Sequence, residues 1–213
     1  MKISLAIAAV TLTLLSAGAK SFAQNNCMSN NLIAGIPRST LSEEEKTGLL
    51  QMREEEKLAR DVYITLADTW GIPVFSNISR AEQVHTDAVK VLLDRYGLED
   101  PVKNDKVGVF TSIEIKKLYD DLVRKGKNSL IDALIVGATI EDLDIKDLND
   151  LIKNSDSEDI IVTYNNLNKG SRNHMRAFAR QISNRGGSYD PQFISEAEFE
   201  NILSSPHERG FIR

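Results

Sequence analysis

Six ionisable residues occupy positions where the helical pattern of this sequence otherwise places apolar side chains. They are Glu56, Glu82, His85, Glu141, Asp144 and His174. A carboxylate in a dry core is costly unless it has a cationic partner, a proton or a metal ion. Carboxylates combined with imidazoles suit iron or manganese better than a metal that prefers thiolates. The chemistry that these residues predict is therefore the binding of one or two divalent metal ions.

The strongest pattern lies in the stretch from Pro73 to Tyr96, which the sequence predicts as one helix. Its buried stripe follows steps of three and four residues: Phe75, Ile78, Glu82, His85, Val89, Leu92 and Tyr96. That spacing places Glu82 and His85 one turn apart on the same face, as a chelating pair requires. Glu82 could instead close a capping box on Ser79, but the stripe continues past Ser79, which favours the ligand interpretation.

Three more long helices are predicted to position the other candidates. The first opens with a capping box of Ser42 and Glu45, ends before Gly71 and carries Glu56 in its stripe. The next begins at Ser129, and the last lies between a break at 154–157 and the glycines at 186 and 187. The third long helix carries Glu141 and Asp144, and the fourth carries His174. The adjacent Glu54 and Glu55 are predicted to be solvated charges, and the core-facing tyrosines are predicted to be packing residues: Tyr63 and Tyr164.

A long connection separates the second and third long helices. Residues 98–109 are predicted to cross the bundle, and Thr111 with Glu114 is predicted to cap a short helix that runs to about Lys125. The predicted inner side of this helix consists of Ile113, Leu118, Tyr119 and Leu122. Gly170 interrupts the last long helix, which is tolerable if it permits close packing. A short helix is predicted at 195–203, and His207 in the tail is predicted to be exposed.

The motifs on these helices resemble those of rubrerythrins. The first helix carries Glu56-Lys57-Leu58-Ala59-Arg60 followed by Tyr63, and the second carries Glu82-Gln83-Val84-His85. The segment from Ser171 to Phe178 resembles the last Glu-x-x-His helix of that family. The resemblance covers roughly Leu41 to Asn184 and is greatest to an uncharacterised domain family within the ferritin-like superfamily. It implies an all-α, ferritin-like four-helix bundle and a metal-ligand set: Glu56, Glu82, His85, Glu141 and His174.

One departure from the rubrerythrin pattern concerns the last helix. Ser171 stands where the family has the glutamate of its second Glu-x-x-His motif. Asp144, one turn after Glu141, could supply the missing oxygen, although Asp142 and Asp147 nearby also fit an ordinary charged surface. Cys27 is the single cysteine, which excludes an additional rubredoxin-type iron site.

Composition and the terminal segments suggest how the chain is organised. The sequence has 213 residues, 41% of them hydrophobic, and a net charge of −5 without a basic stripe, which argues against nucleic acid as a partner. Residues 1–23 resemble a signal peptide; the alternative, a retained membrane anchor, needs about 20 apolar residues. Residues 24–40 are predicted to be a flexible lead-in, 41–186 the helical bundle and 187–213 a C-terminal tail.

The function expected from these features is that of a periplasmic or secreted di-iron protein that reacts with dioxygen or peroxide, with manganese as the alternative metal. Two other interpretations stay open. One is a non-enzymatic metal-binding or degenerate module that acts through a protein partner. The other is a mononuclear site of Glu56, Glu82 and His85. The sequence identifies no catalytic residue, predicts no membrane anchor after signal removal and leaves the oligomeric state open, a homodimer included.

Overall fold

The computed structural model describes residues 33–212, and over this range the protein is all-helical, without a strand. Its six helices are α1 (Glu43–Trp70), α2 (Pro73–Tyr96), α3 (Ile113–Gly126), α4 (Leu130–Lys153), α5 (Glu158–Ser183) and α6 (Glu196–Ser204). The predicted signal peptide and Cys27 lie outside the described residues. Over 33–212, no helix combines the length and the apolar character that crossing a membrane would require.

The ends of the long helices follow the predicted caps. The Ser42 hydroxyl accepts a hydrogen bond from the Glu45 amide at 3.1 Å, and the Glu45 carboxylate accepts one from the Ser42 amide at 2.9 Å. Gly71 ends α1 with φ 65°, a left-handed conformation that glycine adopts without steric cost. Pro73 then opens α2 two residues later. This short connection makes α1 and α2 antiparallel neighbours, and α4 and α5 are joined by a similarly short break.

The start of α3 differs from the prediction by one residue. Ser112 is the N-cap, because its hydroxyl accepts a hydrogen bond from the Ile115 amide at 3.2 Å. Thr111 instead donates its hydroxyl hydrogen to the carbonyl of Pro101 at 2.8 Å. Ile113 becomes the first helical residue and is 81% exposed, so its predicted inward position is wrong. Tyr119 does face inward, where its hydroxyl pairs with that of Thr65 at 2.7 Å.

The four long helices bury two apolar clusters, one on each side of a polar layer. One cluster contains Tyr63, Phe75 and Phe178, and the other contains Leu92 and Tyr164. Along α1, α2 and α5 the candidate acids and histidines lie between the segments that form the two clusters. Along the helix axes, the candidate site therefore has one apolar cluster above it and the other below it.

The long connection between α2 and α3 is held by the buried carboxylate of Asp61. This carboxylate accepts hydrogen bonds from Lys57 at 2.5 Å, from Arg60 at 2.9 Å and from the Gly108 amide at 3.0 Å. Lys57 also donates to the carbonyl of Lys106 at 3.1 Å and lies 4.2 Å from the centre of the Phe110 ring. The connection is therefore fastened to α1 one turn away from Glu56.

The C-terminal segment packs onto the long helices. Asp142, whose acidic surroundings in the sequence also fit a charged surface, is fully buried. Its carboxylate accepts hydrogen bonds from the Tyr189 hydroxyl at 2.7 Å and from the Ile194 amide at 2.9 Å. The last helix, α6, lies close to its predicted position, and it buries Phe199 and Ile202. His207 is exposed, as predicted.

Candidate metal centre

Five of the six predicted site residues meet in the polar layer, in two groups that share Glu82. Glu56, Glu82 and His85 form the first group, and Glu82, Glu141 and His174 form the second. In each group, one ligand-type atom of every residue lies within 4.8 Å of the others. Because one carboxylate belongs to both groups, the two positions that could hold a cation are adjacent.

The Glu82 carboxylate offers a different oxygen to each histidine. Oε2 lies 2.8 Å from Nδ1 of His85, and Oε1 lies 2.8 Å from Nδ1 of His174. On the outer sides, the same nitrogens lie 3.3 Å from a Glu56 oxygen and 3.4 Å from a Glu141 oxygen. The two imidazole rings stack with their centres 5.5 Å apart. Glu82 thus lies between the two histidines, and the group on each side of it could hold a metal ion.

Several of these atoms are buried without a hydrogen bond. Glu56, Glu82 and Glu141 are each at most 2% exposed. Oε1 of Glu56, Oε1 of Glu82 and Nδ1 of His174 have no hydrogen-bond partner, although the last two lie 2.8 Å apart. Buried polar atoms are normally satisfied. A metal ion would satisfy these three converging atoms, so the residues fit such an ion.

The charges in the group perturb each other strongly. Burial raises the pKa of Glu56 to about 8, although the charge of His85 opposes this shift. Burial alone would raise the pKa of Glu82, but the charges of His85 and His174 hold it below its usual range. Burial alone would lower the pKa of His174, but Glu82 and Glu141 raise it to about 10. In the metal-free protein, the surroundings therefore favour the protonated forms of His174 and Glu56 and the ionised form of Glu82.

Tyr63 is more than the packing residue that the sequence predicted. Its hydroxyl donates to Oε1 of Glu141 at 2.5 Å and also lies 3.2 Å from the carbonyl of Gly137. The other Glu141 oxygen is the one that faces His174. Tyr63 thus orients the carboxylate of the second group, as hydrogen-bond partners of metal ligands commonly do.

Asp144 does not join either group. It is half-buried, and Ser171, which is fully buried, donates a hydrogen bond to its Oδ2. Burial and the charges of Glu56 and Glu141 raise the pKa of Asp144 well above its usual value. The structure therefore places this carboxylate beside the site and in contact with Ser171, not among ordinary surface charges.

Two features near the site were not anticipated or were predicted wrongly. Gly170 lies against His85, and a Cβ atom built on it would lie 2.6 Å from Cε1 of the imidazole. The close packing predicted at Gly170 therefore involves a candidate site residue.

Glu55 is not fully solvated, because its Oε2 is buried without a partner and burial raises its pKa to about 7. No periodic signal marks Glu55, since its neighbours come from other helices.

The fold and site define a class: an all-helical protein with two overlapping acid and histidine groups that could hold metal ions. Residues 45–206 match the family described as "Uncharacterized protein domain (DUF2202)", and the chain belongs to this family. It is 57% identical over 181 residues to "Uncharacterized protein MJ0754" of Methanocaldococcus jannaschii, which covers 85% of this chain and 98% of that protein. The crystal structure of hypothetical protein MJ0754 from Methanococcus jannaschii DSM 2661 is similar, with a TM-score of 0.80, 57% identity and coverage of 82% of this chain and 99% of that one.

Proposed function

We propose that this protein is a ferritin-like four-helix bundle that binds two metal ions, iron in preference to manganese. The observation that carries this proposal is the position of Glu82, whose two oxygens each lie 2.8 Å from a different histidine nitrogen. The first ion would be held by Glu56, Glu82 and His85, and the second by Glu82, Glu141 and His174.

The arrangement of the helices supports the ferritin-like part of the proposal. The pair α1 and α2 contributes one terminal carboxylate and one histidine, and the pair α4 and α5 contributes the same two residue types. A long connection containing α3 links the pairs. This agrees with bundles in which metal ligands project inward from facing helices.

Bound iron would supply one-electron redox chemistry with dioxygen or peroxide. The protein's own residues would hold the ions and exclude water. Tyr63 keeps Glu141 oriented, and the apolar clusters on either side keep the layer dry. Asp144 is proposed as the carboxylate that replaces the glutamate missing at position 171, since the Ser171 hydroxyl holds it beside the centre. The signal-like residues 1–23 support a periplasmic or secreted location.

Ser171 also favours a second candidate, a metal-binding module that has lost catalysis and acts through a protein partner. The position offers a hydroxyl where a carboxylate is expected, which weakens oxygen coordination at the second group. A mononuclear protein with its ion in the first group would be one form of this alternative. The number of ions bound separates these cases.

Metal titration with matched variants tests the proposal. The chain is purified without chelator, stripped and titrated anaerobically with ferrous iron and with manganese, and bound metal is counted by mass spectrometry. We expect two ions per chain, none after Glu82→Gln, and one after His174→Ala. Glu44→Gln is the control, because Glu44 lies exposed on α1. One ion in the native chain would support the mononuclear alternative, and only traces of metal would refute the proposal.

A further inference from the structure

A cavity of about 200 Å³ lies between α2 and α5, beside the candidate metal centre. Its walls are mostly apolar and come from both helices, from Ile33 before α1 and from the C-terminal segment. The apolar side chains of the helices and of the C-terminal segment include Val84, Ala88, Val91, Leu167 and Phe211. Glu82 and Glu141 do not line it. The only predicted metal ligand that it reaches, among the described residues, is His85.

His85 presents its two edges to different surroundings. Nδ1 faces the carboxylates of Glu82 and Glu56. The opposite edge, with Nε2 and Cε1, lies against Gly170, which also lines the cavity. Any side chain at position 170 would cover this edge of the ring. The missing Cβ therefore leaves the inner end of the cavity in contact with a metal-ligand candidate.

Apart from His85, the polar side chains of the cavity are already engaged in hydrogen bonds; they are those of Thr163, Asn166 and Lys169. The Thr163 hydroxyl donates to the carbonyl of Asp159 at 2.8 Å. The Asn166 amide nitrogen donates to the carbonyls of Val162 and Ile212, and its oxygen accepts from the Ile212 amide and from Lys169. A charged or strongly polar ligand would have to displace these bonds. An uncharged apolar ligand would not.

Phe211 covers part of the cavity. It lies on the C-terminal segment, which side chains of α5 hold in place. The two hydrogen bonds between Asn166 and Ile212, each 2.9 Å, fix this segment to α5. The Phe211 ring is 62% exposed, and the Lys169 ammonium lies 5.5 Å from its centre. Side chains of α5 hold this segment by hydrogen bonds, and the segment itself is not helical, so it could move aside to admit a ligand without unfolding either helix.

We propose that this cavity binds a small, uncharged apolar organic molecule, with one end against the His85 ring. Its volume suits a single aromatic ring with a short substituent, since an apolar cavity of about 150 Å³ is enough to hold benzene. The role of the molecule as a substrate or effector rests on the proposed metal centre. Binding in the cavity does not require the metal and can be measured without it.

The test is a titration of toluene into metal-free full-length protein, followed by methyl NMR; a manganese-loaded portion of each sample is kept for metal counting, because paramagnetic manganese would broaden these methyl signals. We expect saturable shifts of the Ala88 and Val91 methyl signals. Ala88→Leu fills the cavity with three added carbon atoms and should weaken binding by about tenfold or more. The matched control is Ala59→Leu, because Ala59 lines a second cavity between α1 and α4 and should leave toluene binding unchanged. Phe211→Ala alters an exposed side chain, so the protein should fold normally and bind toluene more weakly.

The outcomes distinguish the pocket from the metal centre when bound metal is counted in the same samples. Two ions without saturable toluene shifts would overturn the pocket and leave the proposed function intact. Toluene binding with only traces of metal would support the pocket and overturn the proposed function. A loss of binding in Ala59→Leu but not in Ala88→Leu would assign the probe to the other cavity and overturn the inference. Entry of xenon but not toluene would limit the cavity to gases and also overturn it.

Discussion

Gly170→Ala is expected to damage the proposed metal centre without adding a charge or removing a candidate ligand. The new Cβ would lie 2.6 Å from Cε1 of His85, whereas carbon atoms in contact are about 3.5–4.0 Å apart. The imidazole must therefore move by about 1 Å or α5 must move away from α2. His85 cannot retreat easily, because Glu82 lies 2.8 Å from its other edge.

Two opposing effects set the stability of the metal-free variant. Replacing glycine by alanine inside a helix stabilises the folded state by about 1 kcal/mol. Overpacking a filled site costs about 1–3 kcal/mol. The free energy of unfolding should thus fall by about 0–2 kcal/mol, since the second effect is equal or larger. The effect on metal binding should be greater, because a ligand displaced by about 1 Å lies far outside the tolerance of about 0.2 Å for coordination distances.

The expected result is a loss of metal affinity at the His85 position of about 100-fold, comparable to the loss of an important supporting contact. Urea unfolding of the metal-free protein and calorimetric titration with manganese measure the two quantities separately. Gly48→Ala is the control: it lies within α1, and its added Cβ would meet mainly a terminal methyl group of Leu151, which can rotate away. Native metal affinity in Gly170→Ala, or an equal loss in Gly48→Ala, would show that the close approach of Gly170 does not position His85.

Three further predictions concern the hydrogen bonds and protons of the site. Tyr63→Phe leaves Oε1 of Glu141 without its donor, so we expect metal affinity of the second group to fall by about 10–100-fold in the same titration. The metal-free protein should lose stability from about pH 6.5 to 8, because the pKa of His174 is raised to about 10 and that of Glu56 to about 8, so folding favours the protonated form of both. Saturating manganese should reverse this trend, because the ligands bind the metal in their deprotonated forms. Urea unfolding at several pH values measures how the unfolding free energy changes with pH, both without and with manganese. A metal-free protein that gains stability over this range would contradict the prediction. Asp61→Asn weakens a buried ion pair and should lower the free energy of unfolding, measured in urea, by about 3–5 kcal/mol. Residues 97–112 should also be cleaved faster by proteases. An unchanged unfolding curve would show that Asp61 does not hold this connection against α1.

The helices and the convergence of five candidate residues could be predicted because both depend on local periodicity. A buried stripe recurs every three or four residues, and an ionisable residue inside it must find a partner in the core. The burial of Asp142 and Glu55 could not be predicted, for the opposite reason. Asp142 is buried by backbone amides some fifty residues later in the chain, at 192–194, and the surroundings of Glu55 come from other helices. The sequence around these two residues does not indicate which distant residues surround them.

The position of Asp144 shows how the two helix pairs differ. Three residues after its terminal glutamate, α4 carries Asp144, whereas α1 carries Ala59 at the equivalent place. Three residues before its histidine, α5 carries Ser171, whereas α2 carries Glu82. The second pair therefore has its additional carboxylate on the first helix instead of the second. The spacing of residues along the sequence is enough to find the additional carboxylate on α4 and the missing carboxylate on α5. Only the hydrogen bond between Ser171 and Asp144 shows that these two positions are in contact.

This exchange has a consequence for charge under the proposed function. Two divalent ions carry four positive charges, and neutral imidazoles add none. Glu56, Glu82 and Glu141 supply three negative charges, so Asp144 would complete the balance in a layer where an uncompensated charge is costly. A larger acid at position 171 would bring a fifth carboxylate and would also occupy the space next to Asp144. The small hydroxyl of Ser171 instead keeps Asp144 in place by a hydrogen bond, which explains physically why the departure from the Glu-x-x-His pattern need not abolish a two-metal site.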